Sequence, residues 1–337
     1  MSAALPSPGD ASNAAAANDN SAAARCVPPW RAPLIVLALG LVAWAALPDQ
    51  LGLLTRVAIT GLLVLSLDLV VGIAGLATLG QAALFGIGAY AAGIAALRGL
   101  ADPLLGLALG GAAGALLAAV SGAFLLRYTS FTFLMLTVAV AQILQNLASK
   151  WRDLTGGDDG LSGFTVGPLL GRFEFDLEGK VASLYALAVL AIGLYVARRL
   201  VDSPFGLAVR GIHQNRARMA ALGTPVPARL LAMYTVAGAM AGVAGALSAQ
   251  TNAIVGLDSL GFALSAEALV MLVLGGAGTL VGALGGAAVF TLLHHTAASI
   301  NPYHWLFVVG AALMGVVLLP PATLLAALRR RWAGVAR

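Results

Sequence analysis

Residues 268–328 read ALVMLVLGGAGTLVGALGGAAVFTLLHHTAASINPYHWLFVVGAALMGVVLLPPATLLAAL, 61 positions without one Asp, Glu, Lys or Arg. One membrane-spanning helix needs about 20 mostly apolar residues, so this run is long enough for two or three. Charge-free runs recur at Ala32–Pro48, Leu69–Leu97, Pro103–Leu126, Tyr128–Ser149, Val181–Ala197 and Leu230–Leu257. Together they predict ten helices, over 32–48, 54–73, 79–97, 104–126, 130–149, 181–199, 229–250, 260–276, 279–298 and 303–320. A closed barrel is the other spanning solution, but its strands alternate apolar and polar residues and these runs do not. The fold class is therefore all-α and polytopic.

Composition agrees. Of 337 residues, 60% are hydrophobic and 10% charged, against about 25% charged in a soluble domain. An ordinary soluble enzyme, a disordered protein and a nucleic-acid binder are excluded, the last despite a net charge of +5. The few charges orient the chain, because cytoplasmic segments are rich in Lys and Arg. Segment 198–229 carries Arg198, Arg199, Arg210, Arg216, Arg218 and Arg229 with one acid, Asp202. The C-terminus carries Arg329, Arg330, Arg331 and Arg337. Both are expected inside, and the acid-rich 150–180 segment outside. Four tryptophans near predicted helix ends (Trp30, Trp44, Trp151, Trp305) fit an interfacial belt. The expected organisation is a disordered cytoplasmic tail (1–31), a transmembrane domain (32–320) with a periplasmic loop at 150–180 and a cytoplasmic loop at 200–228, and a basic cytoplasmic tail (321–337). The single Cys26 allows no internal disulfide.

No G-x-x-x-x-G-K-[ST] phosphate loop occurs, and neither Lys150 nor Lys180 follows suitable glycines. There is no nucleophile elbow and no metal-ligand spacing. His294 and His295 are adjacent, so on a helix they point about 100° apart and read as polar residues near a helix end. No enzyme, metal or cofactor is expected in this chain. The 41 glycines carry more information. G-x-x-x-G spacing at Gly106/Gly110/Gly114, Gly238/Gly242 and Gly278/Gly282/Gly286 reads as tight helix packing. Two other stretches, Gly72–Gln81 and Leu274–Gly282, each contain G-x-x-Thr-Leu and interrupt a long apolar run. Related halves with broken helices in corresponding positions are a transporter signature, so an inverted repeat of two five-helix halves is expected.

At these stretches the sequence resembles the permease subunits of bacterial ABC importers for branched-chain amino acids, of the LivM type. Asp68–Tyr90 looks like that family's N-L-L-L-G-Y-x-G-x-x-S-L-G-H-A-x-F-F-G-I-G-A-Y stretch. Thr137–Leu144 and Leu154–Gly163 are similar to its T-L-A-F-x-E-I-L and L-T-G-G-x-x-G-I-S-G pair. Ser203–Gly206 through Arg210 and Ala221–Gly223 resembles its S-x-F-G-R-A-x-R-A-I…A-x-G loop, and Ser265–Gly282 its S-x-E-x-L…L-G-G-x-G region. The resemblance runs from about residue 55 to 320. Several positions depart from it: Asp68 replaces Asn, Gln81 replaces His, Gln142 replaces Glu, and the loop, often acidic at R-E-x-x, reads His213-Gln214-Asn215-Arg216.

The resemblance implies passage of branched-chain or related hydrophobic amino acids through the inner membrane. It implies four kinds of partner: a LivH-like second permease, two ATPase subunits that bind the ATP, a periplasmic binding protein, and the bilayer. It also implies an ATPase-coupling loop at Ser203, Phe205, Gly206, Arg210, Arg216, Ala221 and Gly223. Ser203-Pro204 starts a short helix there and Gly223 ends it. Candidate pathway or helix-break residues are Asp68, Gly75, Thr78, Gly80, Gln81, Gln142, Glu267, Gly275, Gly276, Gly278 and Thr279. Thr155, Gly156, Gly157, Gly160 and Gly163 belong to the periplasmic loop. Asp68 and Glu267 are the only acids well inside predicted spans, where a charge is costly; hydrogen bonding to a helix break is the first role considered for both, pathway lining the second. Three other functions stay open. These are an ABC permease for urea, amides or aromatic acids, an ion-coupled secondary transporter using Asp68 or Glu267, and a passive channel.

Overall fold

The computed structural model describes residues 31–46, 50–128, 131–164, 166–167, 179–300 and 310. Eleven helices of six residues or more order these residues: α1 (Arg31–Ala46), α2 (Leu51–Asp68), α3 (Gln81–Leu97), α4 (Pro103–Leu125), α5 (Phe131–Lys150), α6 (Lys180–Val201), α7 (Pro204–Gln214), α8 (Arg216–Ala221), α9 (Val226–Asn252), α10 (Phe262–Gly275) and α11 (Leu280–Ile300). A π-helical turn, Leu69–Ile73, prolongs α2. Among the described residues, six helices are long and apolar enough to cross a membrane: α2 with its π turn, α4, α5, α6, α9 and α11. The cores of α1, α3 and α10 are apolar but shorter. The chain is thus an all-α, multi-pass membrane protein. Apart from Gly310, the expected span 303–320 lies outside the described residues, as do the expected tails 1–31 (except Arg31) and 321–337, Trp30, Trp305 and most of 165–178.

Helix α9 is the axis of the bundle and packs against α2, α3 and α4. Small residues let it come close. A methyl on Gly88 of α3 would strike the Gly242 backbone, and one on Gly114 of α4 would strike Gly238 and Gly242. Lipid gives helices no hydrophobic drive to associate, so this backbone-to-backbone packing supplies the attraction. The Gly106/Gly110/Gly114 and Gly238/Gly242 series therefore meet each other. In the third series, Gly282 and Gly286 press on Gly275 across the α10–α11 hairpin, whereas Gly278 lies in the turn before α11.

The two ends of the bundle differ. At one, strand β1 (Leu161–Ser162) pairs antiparallel with β2 (Ile254–Val255), Leu161 opposite Val255. A small apolar cluster of Tyr90, Leu161, Phe164, Val255 and Leu260 closes over it. At the other end α7 and α8 fold beneath the helices. Ser203 caps α7, accepting from Gly206 N–H at 3.3 Å. The single helix expected between Ser203 and Gly223 is two: Asn215 is extended (φ −157°) and its side chain caps α8 through Arg218 N–H at 2.9 Å. Asn favours this capping position over a helix interior because its side chain competes with the backbone for hydrogen bonds. Similarly, α10 starts at Phe262 rather than 260, because a 3₁₀ turn, Leu257–Leu260, precedes it.

Candidate functional site

Helices α3 and α11 each begin at a break in an apolar run, and each beginning leaves N–H groups without intrahelical partners. For α3, side chains supply the acceptors. Thr137 Oγ1 of α5 takes Leu79 N–H at 3.3 Å, Thr78 Oγ1 takes Gly80 N–H at 3.1 Å, and Ser265 Oγ of α10 takes Ala82 N–H at 2.9 Å. Gln81 donates from Nε2 to Ser66 Oγ at 2.8 Å. At the other break, Asp68 Oδ1 accepts from Gly278 N–H at 2.6 Å. Asp68 is fully buried, and its Oδ2 has no hydrogen-bond partner. The two breaks thus fasten to each other: Ser265 of α10 holds the first, and Asp68 of α2 holds the second. Their glycines also touch, since a methyl on Gly72 would strike the Gly278 backbone. Gly278 itself has φ +85°, a left-handed conformation that strains other residues. Thr279 Oγ1 donates to Gly276 O at 2.8 Å and shapes the same turn.

This junction touches the basic loop. Gly75 (φ +70°) lies against the His213 ring of α7 so closely that a side chain would not fit. Arg210, also on α7, acts electrostatically on Asp68. Helix α7 buries Gly206, Val209 and Ile212 toward the bundle and exposes Leu207 and Arg210. Gly206 is required because a Cβ would run into the Leu200 and Val201 carbonyls. The Arg229 guanidinium stands 5.4 Å from the Phe205 ring centre, joining α7 to the start of α9. Arg216 is half-buried, and Ala221 and Gly223 (φ +81°) are exposed. The loop therefore presents a surface of arginines with isolated leucines, Leu207 and Leu222.

At the opposite end lies a cavity of about 680 Å³ between α2, α6, α9, α10 and α11. Small-molecule sites run from about 300 to 1,000 Å³. Ile59, Phe85, Leu264, Met271 and Phe290 form its apolar wall. Glu267, half-buried, lines it together with Arg56, Asp258 and His294. Thr60 and Thr291, whose hydroxyls are 3.2 Å apart, close it between α2 and α11. Arg56 and Asp68 are both on α2, twelve residues or about 18 Å apart, so the cavity and the fastened breaks sit at different depths.

The structure separates the two acids that the sequence grouped. Asp68 bonds a helix break, whereas Glu267 faces the cavity. Gln142 joins neither site; it is exposed on α5. The loop residues Thr155, Gly156, Gly157 and Gly160 form the turns before β1, and Gly163 follows that strand. Thr155 Oγ1 donates to Ala148 O at 2.6 Å and Trp151 O at 2.7 Å. Gly160 abuts Val255 and Gly256, so this segment forms one edge of the cavity end. Sequence reasoning missed Arg56, the third residue of the predicted 54–73 span, which lines the cavity. It also treated His294 as a residue near a helix end, yet His294 lines the cavity. Among the described residues no group of His, Cys, Asp and Glu is arranged to hold a metal ion.

A family model described as branched-chain amino acid transport system / permease component matches residues 50–317. The LivM permease protein of the high-affinity branched-chain amino acid transport system of Salmonella typhimurium is 28% identical over 319 residues, covering 86% of this chain and 74% of the relative. Its Escherichia coli counterpart matches to the same extent. The galactose/methyl galactoside import permease protein MglC of Haemophilus influenzae is 27% identical over 223 residues, 60% of this chain and 62% of the relative. No solved structure gives a significant match.

Proposed function

From its membership of the branched-chain amino acid transport permease family, which makes this chain a membrane-spanning permease subunit of an ABC importer, we infer that it passes branched-chain amino acids inward. The two LivM relatives, matched along most of their length, support that substrate class over the sugar named for MglC. Solute arrives from a periplasmic binding protein at the end bearing β1, β2 and the cavity. The basic α7–α8 loop faces the cytoplasm, as do both termini, and docks an ATPase subunit. A second, LivH-like permease completes the pathway, and a second ATPase serves it. ATP belongs to those ATPases, since this sequence has no phosphate loop. The two breaks, each with a positive-φ glycine (Gly75, Gly276) three residues before a threonine (Thr78, Thr279), support an inverted repeat of two five-helix halves.

The observation that carries this reading is the chain of contacts from the α7 surface to the fastened breaks. A displacement of α7 alters the His213–Gly75 contact, and through Gly75 it acts on the seam between the breaks. The test is to replace Gly206 by Val and Arg210 by Glu in the assembled importer. Membrane insertion is retained, while association with the ATPase and ATP-driven uptake fall together. Unaltered ATPase association would remove the loop from the mechanism.

A further inference from the structure

Three features make the cavity unlike a passage for an uncharged solute. It holds opposite charges on different helices: Arg56 on α2 and Glu267 on α10, with Arg56 near enough to act electrostatically on Glu267. No hydrogen bond satisfies either side chain from within the described residues. One wall is apolar, built from Ile59, Leu264, Met271 and Phe290. Finally, α10 is anchored just before Glu267, because Ser265 accepts from Ala82 N–H.

Resting on the permease reading, we propose that this cavity is a two-ended binding site for a zwitterionic aliphatic amino acid. Arg56 receives the α-carboxylate, Glu267 receives the α-ammonium, and the apolar wall takes the side chain. Charge decides between solute classes. A sugar's hydroxyls can hydrogen-bond either ion but bring no charge to complement it. A simple anion would meet two carboxylates, Glu267 and the exposed Asp258, for one guanidinium. A zwitterion answers both signs and leaves its aliphatic part for the apolar wall. The exposed, solvated position of Arg56 keeps the grip weak, as a site that must release its solute requires.

The test uses the importer reconstituted in liposomes. Cys26 is the chain's one cysteine, so C26S with S248C places a single thiol in the cavity wall. Its alkylation by N-ethylmaleimide is followed with leucine, with 4-methylpentanoate (leucine without its amine) and with 3-methylbutylamine (leucine without its carboxylate). Leucine is expected to protect at about tenfold to hundredfold lower concentration than either analogue, the range for one charged hydrogen bond. E267Q removes the advantage over 4-methylpentanoate only, and R56Q removes the advantage over 3-methylbutylamine only. Equal protection by the three probes, or equal weakening of all three in both variants, overturns the assignment. Because each protein is judged by the ratio between probes, a smaller yield leaves the result readable. If a variant does not assemble, the three-probe comparison in C26S/S248C decides. ATP-driven leucine uptake in the same liposomes separates the two readings. Uptake with equal protection overturns the two-ended site alone. Selective protection without ATP-driven uptake overturns the permease reading and leaves the site in place.

Discussion

Replacing Asp68 tests the fastening between the breaks. Its Oδ1 is the acceptor for Gly278 N–H at 2.6 Å, inside the bundle. In Asp68→Ala that half-buried N–H loses its protein acceptor. Losing a hydrogen bond to a charged acceptor costs about 1.5–3 kcal/mol, and the missing carboxyl leaves a small void that adds to the loss. Asp68→Asn keeps an acceptor at the same place but changes a charge-assisted bond to a neutral one, roughly half as strong. Its loss should therefore be about half that of Ala. The assay is heat-induced loss of the monodisperse peak in detergent, with ATP-driven uptake measured in parallel. The expected order in both is wild type, then Asn, then Ala. An Asp68→Ala protein as stable and active as wild type would refute the fastening. An Asn variant as damaged as Ala would show that the charge matters rather than the acceptor, and would favour a proton-coupled role for Asp68.

Gly88→Val drives a branched side chain into the Gly242 backbone and should destabilise by at least the 1–3 kcal/mol typical of overpacking; cysteine crosslinking between α3 and α9 should fall with it. Gln250→Ala breaks a buried network in which Gln250 donates to Pro103 O at 2.8 Å and accepts from Tyr185 at 3.0 Å. It should cost about 1–3 kcal/mol in thermal stability while leaving ATPase association intact. Leu207→Asp places a carboxylate on the exposed face of α7. It should weaken co-purification of the ATPase at least tenfold, about 1.4 kcal/mol, with no change in stability of the isolated subunit.

Much of this architecture was legible because lipid demands long charge-free runs. The expected span at 54–73 corresponds to α2 and its π turn, and that at 181–199 to α6, within a few residues. The tight G-x-x-x-G faces were legible as packing, though not which helix meets which. What the sequence could not give is pairing across distance. Asp68 and Gly278 are 210 positions apart, and no local pattern joins them. The same limit grouped Asp68 with Glu267, since both are acids in apolar runs, although one fastens a break and the other lines a cavity. Arg56 escaped notice because it lies near the start of its helix, where a basic residue reads as an interfacial anchor. Asn215 was readable as a cap in principle, but the glycine at 223 drew the helix end too far along the chain.

The most direct measurement is solute flux in liposomes containing the chain with its partner permease, its ATPases and its binding protein. Leucine should accumulate only when ATP is present on the α7–α8 side and binding protein on the cavity side. Accumulation driven by a proton or sodium gradient without the ATPases, or equilibration through this chain alone, would contradict an ABC permease subunit.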